Sequence, residues 1–443
     1  MISSHKPEFK MTEVGLIPVD WDIRQVKDVA SINEMNIDNS YSFDEIEYVD
    51  ISSVRERRLL KTKLYPLDQA PTRAKRIIRN KDILISTVRP RLKHFVFIKK
   101  SKPNLVGSTG FAVISPKKVN PSFLYYYLTS DKYTKFLTAI ASIHATTYPS
   151  FTPDVILNSY IPYPSIYEQK EIADIFTSLD AKINLNYKMI HTLESVGKTF
   201  FKHWFVDYEF PTNGGNSYRS SGGNMHYSNE LNIKIPEGWN NGVIGDLVSV
   251  QPGHAFKSQD FDNQGKIGVI KIKNILDHIV DVKNTTKISE KVISKLDTKF
   301  SLPQGSILMA MTGTNVGKVG IVPKTQKKLW LNQRVCILRE RLKNGVLLAY
   351  FILNSKRYQQ LLKDKASGSA QLNISSSDIE SIRIVLPPKE IIFSFGTFFR
   401  PFYEKIIENL YEVEKLSDLR DTLLPHLFSG HVRPFPSENN SNN

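Results

Sequence analysis

A single cysteine, Cys336, stands in 443 residues. That scarcity excludes disulfides and thiolate metal clusters, and the alternating run WLNQRVCILRE marks Cys336 as a small apolar strand residue. Long apolar runs are missing too, and the opening MISSHKPEFKMTEVG has no signal-peptide core. A cytoplasmic chain without a membrane partner is therefore expected. Ten histidines are scattered with no pair at metal-ligand spacing, so no metal residue is assigned. Acidic residues are in deficit, 44 against 59 Lys and Arg, and the net charge of +15 draws in polyanions, nucleic acid first.

Catalytic motifs are also lacking. MTGTNVGKVG has three residues between Gly313 and Gly317, and Val319 follows Lys318, so it fails as a phosphate-binding Walker loop. Leu386-Pro387-Pro388-Lys389 lacks both the acid and the aromatic of an amino-methyltransferase motif. Asp281-Val282-Lys283 and Asp180-Ala181-Lys182 match the short half of a nuclease metal pattern, the second on a helix where a solvated face is the simpler reading. No Ser, His and Asp constellation stands out, and no catalytic residue is assigned.

What is present is a duplicated long helix. Residues 165–210 open on Pro164-Ser165 and Glu168, a capping box, and place Ile172, Phe176, Leu179, Ile183, Ile190 and Leu193 at heptad spacing. Residues 389–430 repeat that seam with Phe395, Phe399, Phe402, Ile406, Val413 and Leu416. The match runs on without a gap through Val196/Leu419, Phe200/Leu423, His203/His426 and Phe205/Phe428. Asn186 and Asn409 share one heptad position, where a polar side chain fixes register at a cost in stability. A seam this narrow predicts that each helix takes the other as its partner rather than a globular core.

The repeat extends upstream, with Ile17, Pro18, Trp21, Asp28 and Ser31 recurring as Ile235, Pro236, Trp239, Asp246 and Ser249. Strand-like runs, a short helix, a polar loop and a proline-ended strand follow in the same order in each copy. The fold class is α+β, in two tandem mixed domains at 1–164 and 231–388, each followed by its long helix. PTNGGNSYRSSGGNMHYSN makes 211–230 a flexible linker, and 431–443 reads as a disordered tail.

Basic residues gather in loops. Arg55, Arg57, Arg58, Lys61, Arg73, Lys75, Arg76 and Arg79 precede STVRPRLKH, which carries Ser86, Thr87, Arg89, Arg91, Lys93 and His94 between two strands. Phosphates take Lys and Arg, while base edges take Arg, Asn, Gln, Ser and Thr, so a loop of both kinds suits groove reading. The second copy offers Thr312, Thr314, Asn315 and Lys318 at the matching place, with Lys271, Lys273 and Asn274 on the preceding strand. Later polar loops add His144, Thr146, Thr147 and Tyr148 in copy one, and Ser367, Ser369, Gln371 and Asn373 in copy two. Loops that differ on helices that match predict two readers of two different DNA half-sites.

In these features the chain resembles the specificity subunits of type I restriction–modification systems. The carrying residues are the two Ile-Pro-x-x-Trp openings, Lys81-Asp82-Ile83-Leu84, the helix entry with Glu168, Gln169 and Ile172, and Leu419-Arg420-Asp421-x-Leu423-Leu424-Pro425 with Ser429-Gly430. The resemblance implies two target recognition domains on double-stranded DNA, joined by helices that pair antiparallel as a pseudo-twofold coiled coil. It also implies two methyltransferase subunits and further restriction subunits as partners, which would carry S-adenosylmethionine and ATP with Mg, none being expected in this chain. Copy two departs from the pattern at Glu390-Ile391-Ile392, and Pro401 is expected to disturb its first helical turns. Two other readings stay open: a stand-alone endonuclease with an unrecognised metal site, and a basic scaffold without sequence preference.

Overall fold

The computed structural model describes residues 8–143, 148–276, 278–366 and 372–434. It divides into two compact units, Met1–Lys182 with Leu416–Asn443, and Ile183–Lys415. The sequence boundaries fall where the long helices begin; the packing boundary falls inside both helices. Ile166–Phe205 and Lys389–Phe428 each give one end to each unit.

In the first unit, an antiparallel sheet orders the strands Phe95–Phe97, Ile83–Ser86, Phe111–Pro116 and Ala30–Ile32. A second sheet orders Lys63–Pro66, Glu45–Val49, Leu105–Ser108 and Ala74–Ile77, with Glu45–Val49 parallel to Leu105–Ser108. Ile83, Leu84 and Ile85 are all buried, so this strand is apolar on both faces rather than alternating. The second unit repeats the plan. Val248–Pro252, Val335–Glu340, Ile307–Ala310, Val319–Ile321 and His278–Ile279 form its larger sheet, and Ile267–Ile270 runs parallel to Leu329–Leu331 in the smaller one. Cys336 lies in that core, where burial pushes its thiol up to about 12. The expected α+β class and internal repeat are both present.

The long helices run antiparallel within each unit. In the first, Asp180 meets Arg420 at 2.7 Å and the rings of Phe176 and Phe428 stack at 5.9 Å. In the second, Phe200 meets Phe398 at 4.3 Å and Trp204 meets Phe395 at 5.9 Å. Leu179, Leu193, Phe402 and Leu416 are half-buried along the same stripe, and Ile183, Ile190, Ile406 and Val413 are buried. The seam is nevertheless broader than heptad spacing predicts. Ile172 and Phe176 sit in the first globular core, and Phe395 and Phe399 in the second, so each helix begins as a core element. Asn186 and Asn409 face inward, each with an amide nitrogen that has no partner among the described residues. The second helix continues unbroken through Pro401.

Equivalent places on the two helices are filled differently. In the first unit the Tyr126 hydroxyl donates to Asp180 at 2.8 Å, completing a buried Tyr–Asp–Arg triad. In the second unit Phe351 replaces Tyr126 in packing on the helix phenylalanine, here Phe399 at 4.7 Å. Gly197, which matches Arg420, makes the room: a Cβ there would lie 2.4 Å from both Phe351 and Phe399. An ion pair in one unit thus stands where aromatic packing stands in the other.

Three other expectations change. Ser165 caps its helix, accepting from the Glu168 N–H at 3.2 Å, but the Glu168 carboxylate does not turn back. It accepts instead from the Trp21 indole at 3.0 Å and from Arg433 at 2.7 Å, and Arg433 also pairs with Asp20. Residues 431–434 of the expected disordered tail are therefore tied down, while 435–443 lie outside the described residues. The linker is ordered as well. Phe210 stacks on Tyr218 at 4.6 Å and packs tilted against Trp239 at 5.0 Å, and Met225–Ser228 pairs as a strand with Ile233–Pro236. Aromatic anchors outweigh the Gly and Ser around them.

Glu194 is buried and accepts from the Tyr350 hydroxyl at 3.0 Å, and burial raises its pKa. The folded chain therefore holds this proton more tightly than the unfolded chain. Its contribution is full below the unfolded value of about 4.3 and is lost as pH rises through the folded value. Glu194→Gln keeps a neutral acceptor, so urea midpoints of variant and parent should coincide near pH 4 and the variant should be the more stable at pH 8. Parallel midpoint curves across that range would contradict this.

Candidate nucleic-acid interface

In each unit one backbone scheme joins two polar loops. In the first, Arg89 N–H donates to Pro149 O at 2.7 Å, Phe151 N–H to Thr87 O at 3.1 Å, and Val88 bridges Ser150. In the second, Gly313 N–H donates to Leu372 O at 2.8 Å, Ile374 N–H to Met311 O at 3.0 Å, and Thr312 bridges Asn373. The basic loop and the later polar loop, read separately in the sequence, form one surface in both copies. The scaffold is shared and the side chains on it are not.

Several candidates point outward from this surface. Tyr148 is 64% exposed, with the Arg89 guanidinium 4.4 Å above its ring, a flat cationic platform suited to bases or phosphates. Arg89 holds a left-handed φ of 49° at the entry to the turn Pro90–Leu92, which presents Arg91 to solvent. Thr314, Lys318 and Asn373 are exposed in the second unit, and Asn315 is half-buried. Thr312 keeps a buried hydroxyl without a partner among the described residues. His144, Thr146, Thr147, Ser367, Ser369 and Gln371 lie outside the described residues.

Other candidates serve the fold. Ser86 is buried, its hydroxyl donating to Val88 O and accepting from Val88 N–H, so it shapes the turn. The Thr87 hydroxyl donates to Gly110 O at 3.1 Å. Lys93 spends its charge on Asp131 at 2.7 Å and Glu56 at 3.7 Å. Asn274 is buried, giving its amide to Asp281 O and Asn284 O, both at 3.1 Å. With Lys271 and Lys273 it lies in the turn after strand Ile267–Ile270, not on the strand. The basic cluster is thinned likewise: Arg57 bonds Thr129 and stacks on Phe95 and Tyr125, and Arg79 pairs with Glu34.

The nuclease-like tripeptides are also engaged. Asp281 accepts from the backbone N–H groups of Lys283 and Asn284, a local turn cap. Asp180, expected on a solvated face, is the buried partner of Arg420. Sequence reading missed that pair because Asp180-Ala181-Lys182 looks like an exposed helical turn, and only the partner helix reveals it.

Two stretches, residues 18–195 and 236–415, match the type I restriction modification DNA specificity domain. The chain belongs to that family. Specificity subunits of this class are among its relatives. The type I restriction enzyme HindI specificity subunit of Haemophilus influenzae is 26% identical, covering 93% of this chain and all of the relative. The MjaIX specificity subunit of Methanocaldococcus jannaschii is also 26% identical, over 96% of both chains. Among solved structures, the S subunit of a type I system from M. genitalium shares the fold, with a TM-score of 0.50, 14% identity and coverage of 96% of this chain and 99% of that one. As a member of the specificity family, the chain is a type I specificity subunit with two DNA specificity domains. Among the described residues, no helix is long and apolar enough to cross a membrane.

Proposed function

We propose that each unit reads one half of a bipartite DNA target through its joined loop pair, and that the paired helices set the spacer between the halves. The observation that carries this is the identical backbone scheme under dissimilar side chains: two readers built alike and tuned apart. Arg89, Arg91 and Tyr148 serve the first half-site, and Thr314, Asn315, Lys318 and Asn373 the second. The chain itself makes and breaks no bonds. Methyl transfer from S-adenosylmethionine and any ATP- and Mg-dependent cleavage belong to partner subunits, two methyltransferase subunits and restriction subunits.

An open apolar groove supports a docking role for the helix pair. Ile175, Leu179, Leu416 and Leu423 line it beside Leu419, which is 47% exposed, with Glu171, Asp174 and Lys182 at its rim. One exposed and several half-buried apolar side chains rimmed by charge are what a partner helix would bury.

Exchanging residues 12–164 for the corresponding part of another specificity subunit tests the reading. Methylation mapping with the methyltransferase partners present should show one half-site changed and the other retained. Loss of both would show that the readers are not independent.

A further inference from the structure

The turn that lies in the chain between the two loops of each pair differs sharply between the copies. In the first unit it is Ser108-Thr109-Gly110, and Thr87 N–H donates to Gly110 O at 2.9 Å. In the second it is Asn332-Gln333-Arg334, and Met311 N–H donates to Arg334 O at 3.0 Å. Arg334 therefore stands where the first unit has Gly110, beside the start of the reading loop. A Cβ at Gly110 would lie 2.5 Å from Ile51 Cδ1, so the Ile51 side chain would have to shift to admit one. The second unit has opened this place and filled it with two exposed polar side chains, Gln333 and Arg334.

These residues flank a shallow cavity of about 350 Å³ floored by Phe256 and Phe261, with Lys271 and Lys273 on its other side. Lys271 Nζ lies 3.6 Å above the Phe261 ring. Burial and the neighbouring Lys273 lower its pKa, so positive charge is crowded here. Among the described residues, none of Lys271, Lys273 and Arg334 forms an ion pair with a carboxylate, unlike Lys93 in the first unit. Unneutralised cations around an aromatic floor, next to a loop that reads DNA, suit a polyanion with flat bases.

We propose that Gln333 and Arg334 read base edges in the half-site of the second unit, with Lys273 and Lys271 on the flanking phosphates. The assignment rests on the two-reader function above and names determinants that the first unit does not possess. The guanidinium fork of Arg334 matches guanine O6 and N7, and the Gln333 amide matches adenine N6 and N7.

The test uses the full chain assembled with its methyltransferase subunits, on a plasmid library in which each base of the target is varied. Arg334→Ala should relax discrimination at one base pair of one half-site by roughly 5- to 150-fold, leaving the other half-site unchanged. Arg334→Lys keeps the charge but loses the fork, so it should lose the same discrimination. Lys273→Ala should weaken binding alike on every sequence and reduce the salt slope by about 1. If Arg334→Ala and Gln333→Ala keep every base preference of a selective parent, the inference fails and the two-reader function stands. A parent complex that selects no sequence would defeat both.

Discussion

An Asp180→Ala variant unfolds about 3–5 kcal/mol more easily than the parent chain, the cost of leaving a buried charge without its partner. Arg420 and Asp180 are 8% and 12% exposed and meet at 2.7 Å, and the Tyr126 hydroxyl loses its acceptor in the same change. Asp421, 3.1 Å from Arg420 on the same helix, is more exposed and compensates only in part. The expected result is a fall in thermal midpoint on the order of 10 °C for a unit of this size. Replacing both Asp180 and Arg420 by leucine should recover most of the loss, because no unpaired charge remains. A single variant within 1 kcal/mol of the parent would mean that this pair is solvated in solution.

The second large effect concerns spacing. Four residues inserted between Asn184 and Lys198 lengthen the helix by about 6 Å and turn it by close to one full revolution, so the seam returns to its partner. Since base pairs rise about 3.4 Å each, the methylated sites should move to a spacer longer by one or two base pairs, with both half-sites unchanged. Methylation at the original sites should fall to background. Two inserted residues rotate the seam by roughly 200° and should abolish assembly instead. Altered half-sites at unchanged spacing would contradict the helices' role as spacer.

The duplication was legible because apolar heptads and Ile-Pro-x-x-Trp are local patterns that survive divergence. Trp21 and Trp239 are buried at equivalent places, and Ile17 and Ile235 with them. What the pattern does not carry is who meets whom. Glu168 reads as a capping residue from its spacing, yet its partners Trp21 and Arg433 are 147 and 265 residues away. The 211–230 stretch reads as a linker by composition, but Tyr218 inside it stacks on Phe210 just before it and decides its structure. Ser86 and Asn274 have the chemistry of base readers, and burial alone separates them from Thr314 and Asn373. Gln333 and Arg334 lie inside WLNQRVCILRE, whose alternation reads as one strand, although a turn divides it into Leu329–Leu331 and Val335–Glu340.

The Asp180–Arg420 pair also bears on how such a chain keeps its halves distinct. Aligned along the duplication, Arg420 matches Gly197 and Asp180 matches Tyr403. Two first halves laid together would set Asp180 against a glycine, and two second halves would set Arg420 against a tyrosine. Only the unlike combination neutralises both charges. Split into separate polypeptides, the halves would choose each other over their own kind, and an asymmetric target would stay asymmetric without the covalent link.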